Sequence, residues 1–203
     1  MTTVEMEMPS AELTRSKRLK LGTQSEHGSL DSAITQQEPF SDRARYVVFL
    51  GIQYMFHRDI DALYHHVKLS TLLPDLVGRR RLGLIEQDLG DLCAEIPAAI
   101  YEPVWSNHDA LDIPSALGWL YVAEGSNLGA AFLLKEAARL NLSESFGARH
   151  LAAAPQGRGL HWRTFTAALN ALALSPAEDK RVVAGAESAF NRVRGLVRDG
   201  FGV

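Results

Sequence analysis

Apolar residues recur at helical spacing from one end of this chain to the other, and alternating apolar/polar runs bounded by turn signals are missing. Leu82, Ile85, Leu89, Leu92 and Ile96 step by 3, 4, 3 and 4, and Cys93 beside them reads as a small core residue. Tyr46, Phe49, Gln53, Phe56, Ile60 and Leu63 form a second stripe, after Pro39 and a helix cap expected at Ser41. Ser175-Pro176-Ala177-Glu178 has the form of a capping box with proline at the first helical position. Val182, Val183, Ala186, Phe190, Val193 and Val197 follow as the buried face of that helix. Breaks fall near Pro74, across 96–103 and across 153–159. The pattern predicts an all-α, single-domain helical bundle of seven or eight helices over residues 11–203, with residues 1–10 disordered.

Composition removes several classes of function. The chain has 203 residues, 46% of them apolar or aromatic, which is enough to bury a core. Its 21 Lys and Arg against 24 Asp and Glu leave a net charge of -3, whereas nucleic-acid binding calls for a basic excess. No apolar run reaches the roughly 18 residues of a membrane span, and Met1 to Ser10 is too polar and acidic for a secretory signal. One cysteine excludes a disulfide framework and a multi-cysteine metal site. A cytoplasmic monomer with no nucleic-acid or membrane partner is expected.

The seven histidines exclude more. None has Glu three residues before it, which removes the ferritin-like di-iron bundle. His-Glu-x-x-His, Cys-x-x-Cys-His, the P-loop, Gly-x-Gly-x-x-Gly and Gly-x-Ser-x-Gly are all absent. A single histidine ligand still suffices where an organic macrocycle supplies the rest.

Two features point that way. Residues 115 to 140 read as one helix after Pro114, yet Gly118, Gly125 and Gly129 interrupt it, each costing about 1 kcal/mol against alanine. Gly125 and Gly129 are four apart, so they share a face, and a bare strip lets a flat group approach the backbone or permits a kink. Close helix–helix packing through small residues is the plainer reading. On a continuous helix Lys20, His27, Leu30 and Ile34 also share a face. There the plainer reading of His27 is a satisfied core histidine.

The segment Gly118 to Leu134, Gly-Trp-Leu-Tyr-Val-Ala-Glu-Gly-Ser-Asn-Leu-Gly-Ala-Ala-Phe-Leu-Leu, resembles the distal-helix signature of bacterial haem oxygenases of the pseudomonad and neisserial type. Phe146-Gly-Ala-Arg-His150-Leu, Gln53-Tyr-Met-Phe56 and Ala189-Phe190-Asn191-Arg192 are similar to that family as well, and the resemblance runs from about residue 12 to 200. It implies haem b, as both substrate and cofactor, held between a proximal and a kinked distal helix. It implies oxidative cleavage with O2 as co-substrate to biliverdin, carbon monoxide and ferrous iron.

The resemblance makes His27 the iron ligand and places Lys20, Tyr121, Gly125, Gly129 and Phe190 against haem. Neutral imidazole pushes less electron density onto dioxygen than a thiolate does. In this family the proton comes from ordered water held by polar side chains. Gln53, His57 and Arg81 are the candidates here, with Asp88 as a further one, and Gly125, Ser126 and Gly129 complete the catalytic set. For Arg79–Arg81 the competing reading is a solvated basic run. Lys20 and Tyr121 sit where a Lys and a Tyr accompany α cleavage. The orienting lysines of relatives that cut at β and δ fall on Thr35 and Glu136. Biliverdin IXα is therefore expected.

Electrons must come from an external donor, a ferredoxin or an NAD(P)H-dependent reductase, docking on a rim formed by Arg15, Lys17, Arg18, Lys20, Arg192 and Arg194. The product serves iron acquisition or supplies chromophore to a bacteriophytochrome. Two other classes stay open: a haem carrier or sensor without turnover, and a thiaminase-like enzyme with a cysteine nucleophile.

Overall fold

The computed structural model describes residues 13–98, 101–106 and 111–203. The segment expected to be disordered, residues 1–10, lies outside them. Among the described residues there are eight α-helices and two short 3-10 turns. The helices are α1 (Arg15–Gly22), α2 (Gln24–Gln36), α3 (Arg43–His65), α4 (Val67–Leu72), α5 (Leu82–Asp91), α6 (Ile113–Ala138), α7 (Arg158–Ala171) and α8 (Pro176–Phe201). The 3-10 turns span Val77–Arg79 and Arg149–Leu151.

Local sequence explains most of these boundaries. The Ser175 hydroxyl accepts from the Glu178 amide and the Glu178 carboxylate accepts from the Ser175 amide, so the capping box forms in full. α3 is capped by Asp42, whose carboxylate accepts from the Arg45 amide, not by Ser41. An ionised carboxylate at that position also favours the positive end of the helix dipole, which a serine hydroxyl does only weakly. Lys20 and His27 do not share one helix, because Thr23 (φ -114°, ψ 14°) separates α1 from α2. The stripe from Leu82 is buried only through Leu89, since α5 ends at Asp91 and the chain turns through a positive φ of 52° at Cys93. Cys93 is therefore exposed rather than in the core, and Ile96 is 52% exposed.

α6 and α8 form the principal interface. Their backbones meet at two glycines: a Cβ on Gly118 would lie 2.1 Å from the Val182 carbonyl oxygen, and one on Gly185 would lie 2.3 Å from that of Ser115. For Gly118 the small-residue packing reading is thus correct. α2 and α3 pack on the same α8, while α2 makes no comparable interface with α6. α1 is fastened by Arg15, a buried guanidinium that donates to the Leu172 carbonyl (3.0 Å), to that of Leu169 and to Asp179 at 2.5 Å. Arg18 donates to the same Asp179. Both arginines are thereby withdrawn from the expected donor-docking rim, and Arg192 is withdrawn by its 2.6 Å bond to buried Asp59.

A methyl at residue 118 has nowhere to go, because both neighbours are backbone. Gly118→Ala is expected to lose about 3 kcal/mol in urea unfolding, the upper end of overpacking costs, despite the helix propensity it gains.

Candidate functional site

His27 lies in the second turn of α2 with its side chain 63% exposed, so it is not a core histidine. Its Nδ1 stands 2.9 Å from the Asp31 carboxylate, one turn on, and the edge of its ring faces Phe190 of α8 at 5.9 Å between centroids. Asp31 is a partner the sequence did not name. A carboxylate at Nδ1 keeps the proton there and leaves Nε2 as the free, basic nitrogen of the imidazole.

α6 presents the second wall. Helical hydrogen bonding continues through Gly125, Ser126 and Gly129. Nothing stands within 4 Å of a Cβ built on Gly129, and one on Gly125 would meet only the Trp162 ring, at 3.7 Å. Leu128 and Phe132 on the same stretch are exposed, Phe132 at 66%. A helix that buries Leu117, Leu120 and Ala123 completely thus turns an apolar, partly bare strip outward one turn later. Ser126 Oγ donates to the Ala123 carbonyl at 2.7 Å. Tyr121 is buried with its ring 5.4 Å from that of Trp162, and burial raises its pKa. Lys20 is exposed and has no ion-pair partner among the described residues.

The polar candidates gather where α3 and α5 meet the 149–151 turn. His57 is buried; its Nδ1 has no hydrogen-bond partner, and burial, reinforced by His150 and Arg81, lowers its pKa to about 3. Arg81 is buried and donates to the carbonyls of His150 (2.9 Å) and Ala152 (3.0 Å). Arg79 is buried too, so the solvated-run reading is wrong for both, and only Arg80 of the three is half-exposed. Asp88 is fully buried and accepts from the amides of Arg149 and His150 while pairing with His150 Nδ1 at 2.8 Å. His150 Nε2 is left buried without a partner, and burial lowers the pKa of that ring as well.

His150 is the group that residue-by-residue reading passed over. It lies in the segment 146–151, and only the fold brings it to residues 57 and 81. Gln53 is half-buried one turn before His57. The opposite face of α3 lines a cavity of about 310 Å³ with Gly51, Ile52, Met55 and Gly200, away from these polar groups.

These elements suit a flat macrocycle carrying a metal. The chain supplies one exposed imidazole fixed at its far nitrogen, and a strip of bare backbone on a helix that packs on the same floor, α8, without closing against α2. The sequence profile of the Heme oxygenase family matches residues 13–199. The chain belongs to the haem oxygenase family. It is 42% identical over 188 residues to Heme oxygenase PigA of Pseudomonas aeruginosa, covering 92% of this chain and 93% of that protein. The solved haem oxygenase of Neisseria meningitidis, studied with NO and CO bound, superposes with a TM-score of 0.88 at 40% identity, over 94% of each chain. That of Leptospira interrogans shares the fold at 18% identity, with a TM-score of 0.73 over 92% of this chain and 100% of that one.

Haem degradation is accordingly the activity of this chain, and it is an oxidoreductase that binds haem. The carrier and thiaminase-like readings lose to this family. Cys93 is exposed, so it is the family, not burial of the thiol, that removes the thiaminase-like reading. No helix among the described residues is long and apolar enough to cross a membrane.

Two measurements test the site. Gly129→Ala meets no neighbour, so it is expected to gain roughly 1 kcal/mol in urea unfolding while weakening haem affinity; unchanged affinity would show that the strip faces solvent only. His57 titrates near 6.5 when unfolded and near 3 when folded. As pH falls below 6.5 the unfolded chain takes up a proton that the folded chain refuses. Stability is therefore complete above that value and drops by up to about 1.4 kcal/mol per pH unit on the way to 3, with His150 adding in the same direction. His57→Gln is expected to flatten the loss of urea midpoint between pH 7 and pH 5.

Proposed function

We propose that this chain opens haem b oxidatively to biliverdin IXα, with O2 as co-substrate and with release of carbon monoxide and ferrous iron. The observation that carries the reading is the pairing of an exposed, carboxylate-oriented His27 with a helix face left bare at Gly129. The bound haem supplies the iron at which dioxygen is activated; the protein supplies orientation, exclusion and protons.

His27 would hold the metal through Nε2, with Asp31 keeping its ring in one tautomer. Phe190 supports the ring edge. Gly125 and Gly129 would let the macrocycle approach the backbone closely, because neither carries a side chain. Gln53, His57 and Arg81 hold ordered water. The uncharged His57 has a buried nitrogen that lacks a protein partner, and Arg81 is committed by two carbonyls to one position. Ser126, whose hydroxyl proton is given to Ala123, can only accept from such water.

Lys20 and Tyr121 select the meso carbon by meeting the propionates, the lysine as a point charge and the tyrosine as a hydroxyl donor. Lys17 and Lys20 remain exposed and, with half-buried Arg194, form the docking rim for a ferredoxin or an NAD(P)H-dependent reductase, a smaller set than the sequence suggested. Iron acquisition and chromophore supply to a bacteriophytochrome are the two uses of the product, and an α product favours the second.

Aerobic turnover of the haem complex with chromatography of the pigment tests this reading. The α isomer is expected from the wild type and a mixture from Lys20→Ala. A mainly β and δ product from the wild type would overturn the roles of Lys20 and Tyr121.

A further inference from the structure

One fully buried ion pair lies beside the distal strip and has no part in the chemistry above. The side chains of Arg79 and Glu124 are 1% and 0% exposed, and Arg79 Nη1 donates to Glu124 Oε2 at 2.8 Å. Arg79 Nε donates to the Pro74 carbonyl and Nη2 to the His161 carbonyl, each at 3.2 Å. The second Glu124 oxygen accepts from the Tyr64 hydroxyl at 3.4 Å. One planar guanidinium therefore joins the turn before residue 77, α6 at the residue preceding Gly125, and α7.

The connection continues through rings. The Arg79 guanidinium lies 5.7 Å from the centroid of Phe165, which stacks on Trp162 at 5.9 Å and 22°. Trp162 is the neighbour that a Cβ on Gly125 would touch, and it also contacts Tyr121. Arg79 thus holds both sides of Gly125: the backbone through Glu124, and the aromatic wall through Phe165 and Trp162.

Stability alone does not account for this. A buried ion pair recovers little more than its desolvation cost, and apolar side chains of similar volume often serve as well or better. What the pair adds is a fixed geometry, because a planar fork meets three acceptors at set angles.

We propose that Arg79 is a positioning residue for the haem-facing strip of α6, acting through Glu124 and through the Phe165–Trp162 stack, and that Trp162 joins Tyr121 as a specificity-determining wall. This rests on the reading of Gly125 as a haem contact.

The test is the double variant Arg79→Met/Glu124→Leu, which removes the bridge without leaving a lone buried charge. Glu124 also faces His161 Nε2 at 3.4 Å and accepts from Tyr64, so the double variant leaves those two groups without it, and in the haem-free protein its melting temperature is expected to fall by no more than a few degrees. Amides 121–129 are expected to exchange roughly tenfold faster, while those of α3 do not change. In turnover it is expected to give mixed isomers. Wild-type exchange together with the wild-type isomer composition would overturn the proposal, and so would a lowered melting temperature with that composition, which marks a purely structural pair.

Trp162→Phe keeps the stack on Phe165 but shortens the reach to Gly125. It keeps the proposal testable should the double variant not fold: mixed isomers support it, and an unchanged composition overturns it. A wild type that yields no biliverdin would instead sink the reading of the site, while the exchange measurement on the haem-free protein still tests the bridge.

Discussion

The contact on which this molecule depends is the backbone-to-backbone seam between α6 and α8. At Gly118 and Gly185 each helix runs so close to the other that a single methyl would overlap a carbonyl. That seam sets the height of α6 over the bundle. α8 also carries Phe190, the ring against which His27 rests, and α2 packs on the same helix. Both walls of the proposed haem site are therefore referenced to one helix, while the walls themselves stay apart. The opening is a consequence of sharing a floor without sharing an interface.

The three glycines of α6 have one chemical identity and two physical roles. Gly118 faces backbone and is needed because nothing else fits. Gly129 faces open space, so in the haem-free fold it only costs helix stability. In the proposed reading, haem takes up the room beside it. Gly125 is intermediate, walled on one side by Trp162. The transition from packing strip to contact strip takes place within two helical turns, and the buried Glu124–Arg79 pair stands at the boundary.

The polar interior is divided in a similar way. Asp88 is saturated by two amides and by His150, and so is part of the frame. In the cluster around Asp88, His57 Nδ1 and His150 Nε2 are left without hydrogen-bond partners, in rings that burial keeps uncharged. Neutral imidazoles with an unspent nitrogen suit ordered water, since they can donate or accept according to tautomer. Arg81, adjacent to both, donates from Nη1 to two carbonyls and contributes a fixed charge.

The sequence by itself determined the helices, most of their buried faces and the capping of α8, because periodicity and caps are local properties of three to seven neighbouring residues. It also marked His27 and the glycine strip, through an anomalous residue type and a resemblance carried by whole motifs. Tertiary structure decided whatever depends on separation along the chain. It paired Arg15 with Asp179 and took it off the surface, brought His150 to His57, and set Arg79 against Glu124 and Phe165. It also decided two matters that look local. Thr23 broke the helix expected to join Lys20 to His27, and the chain turned at Cys93 before the stripe could continue. In both places the pattern of side chains permitted one more turn of helix. Which way the backbone went was set by what it had to pack against, and that is not recorded in any short window of residues.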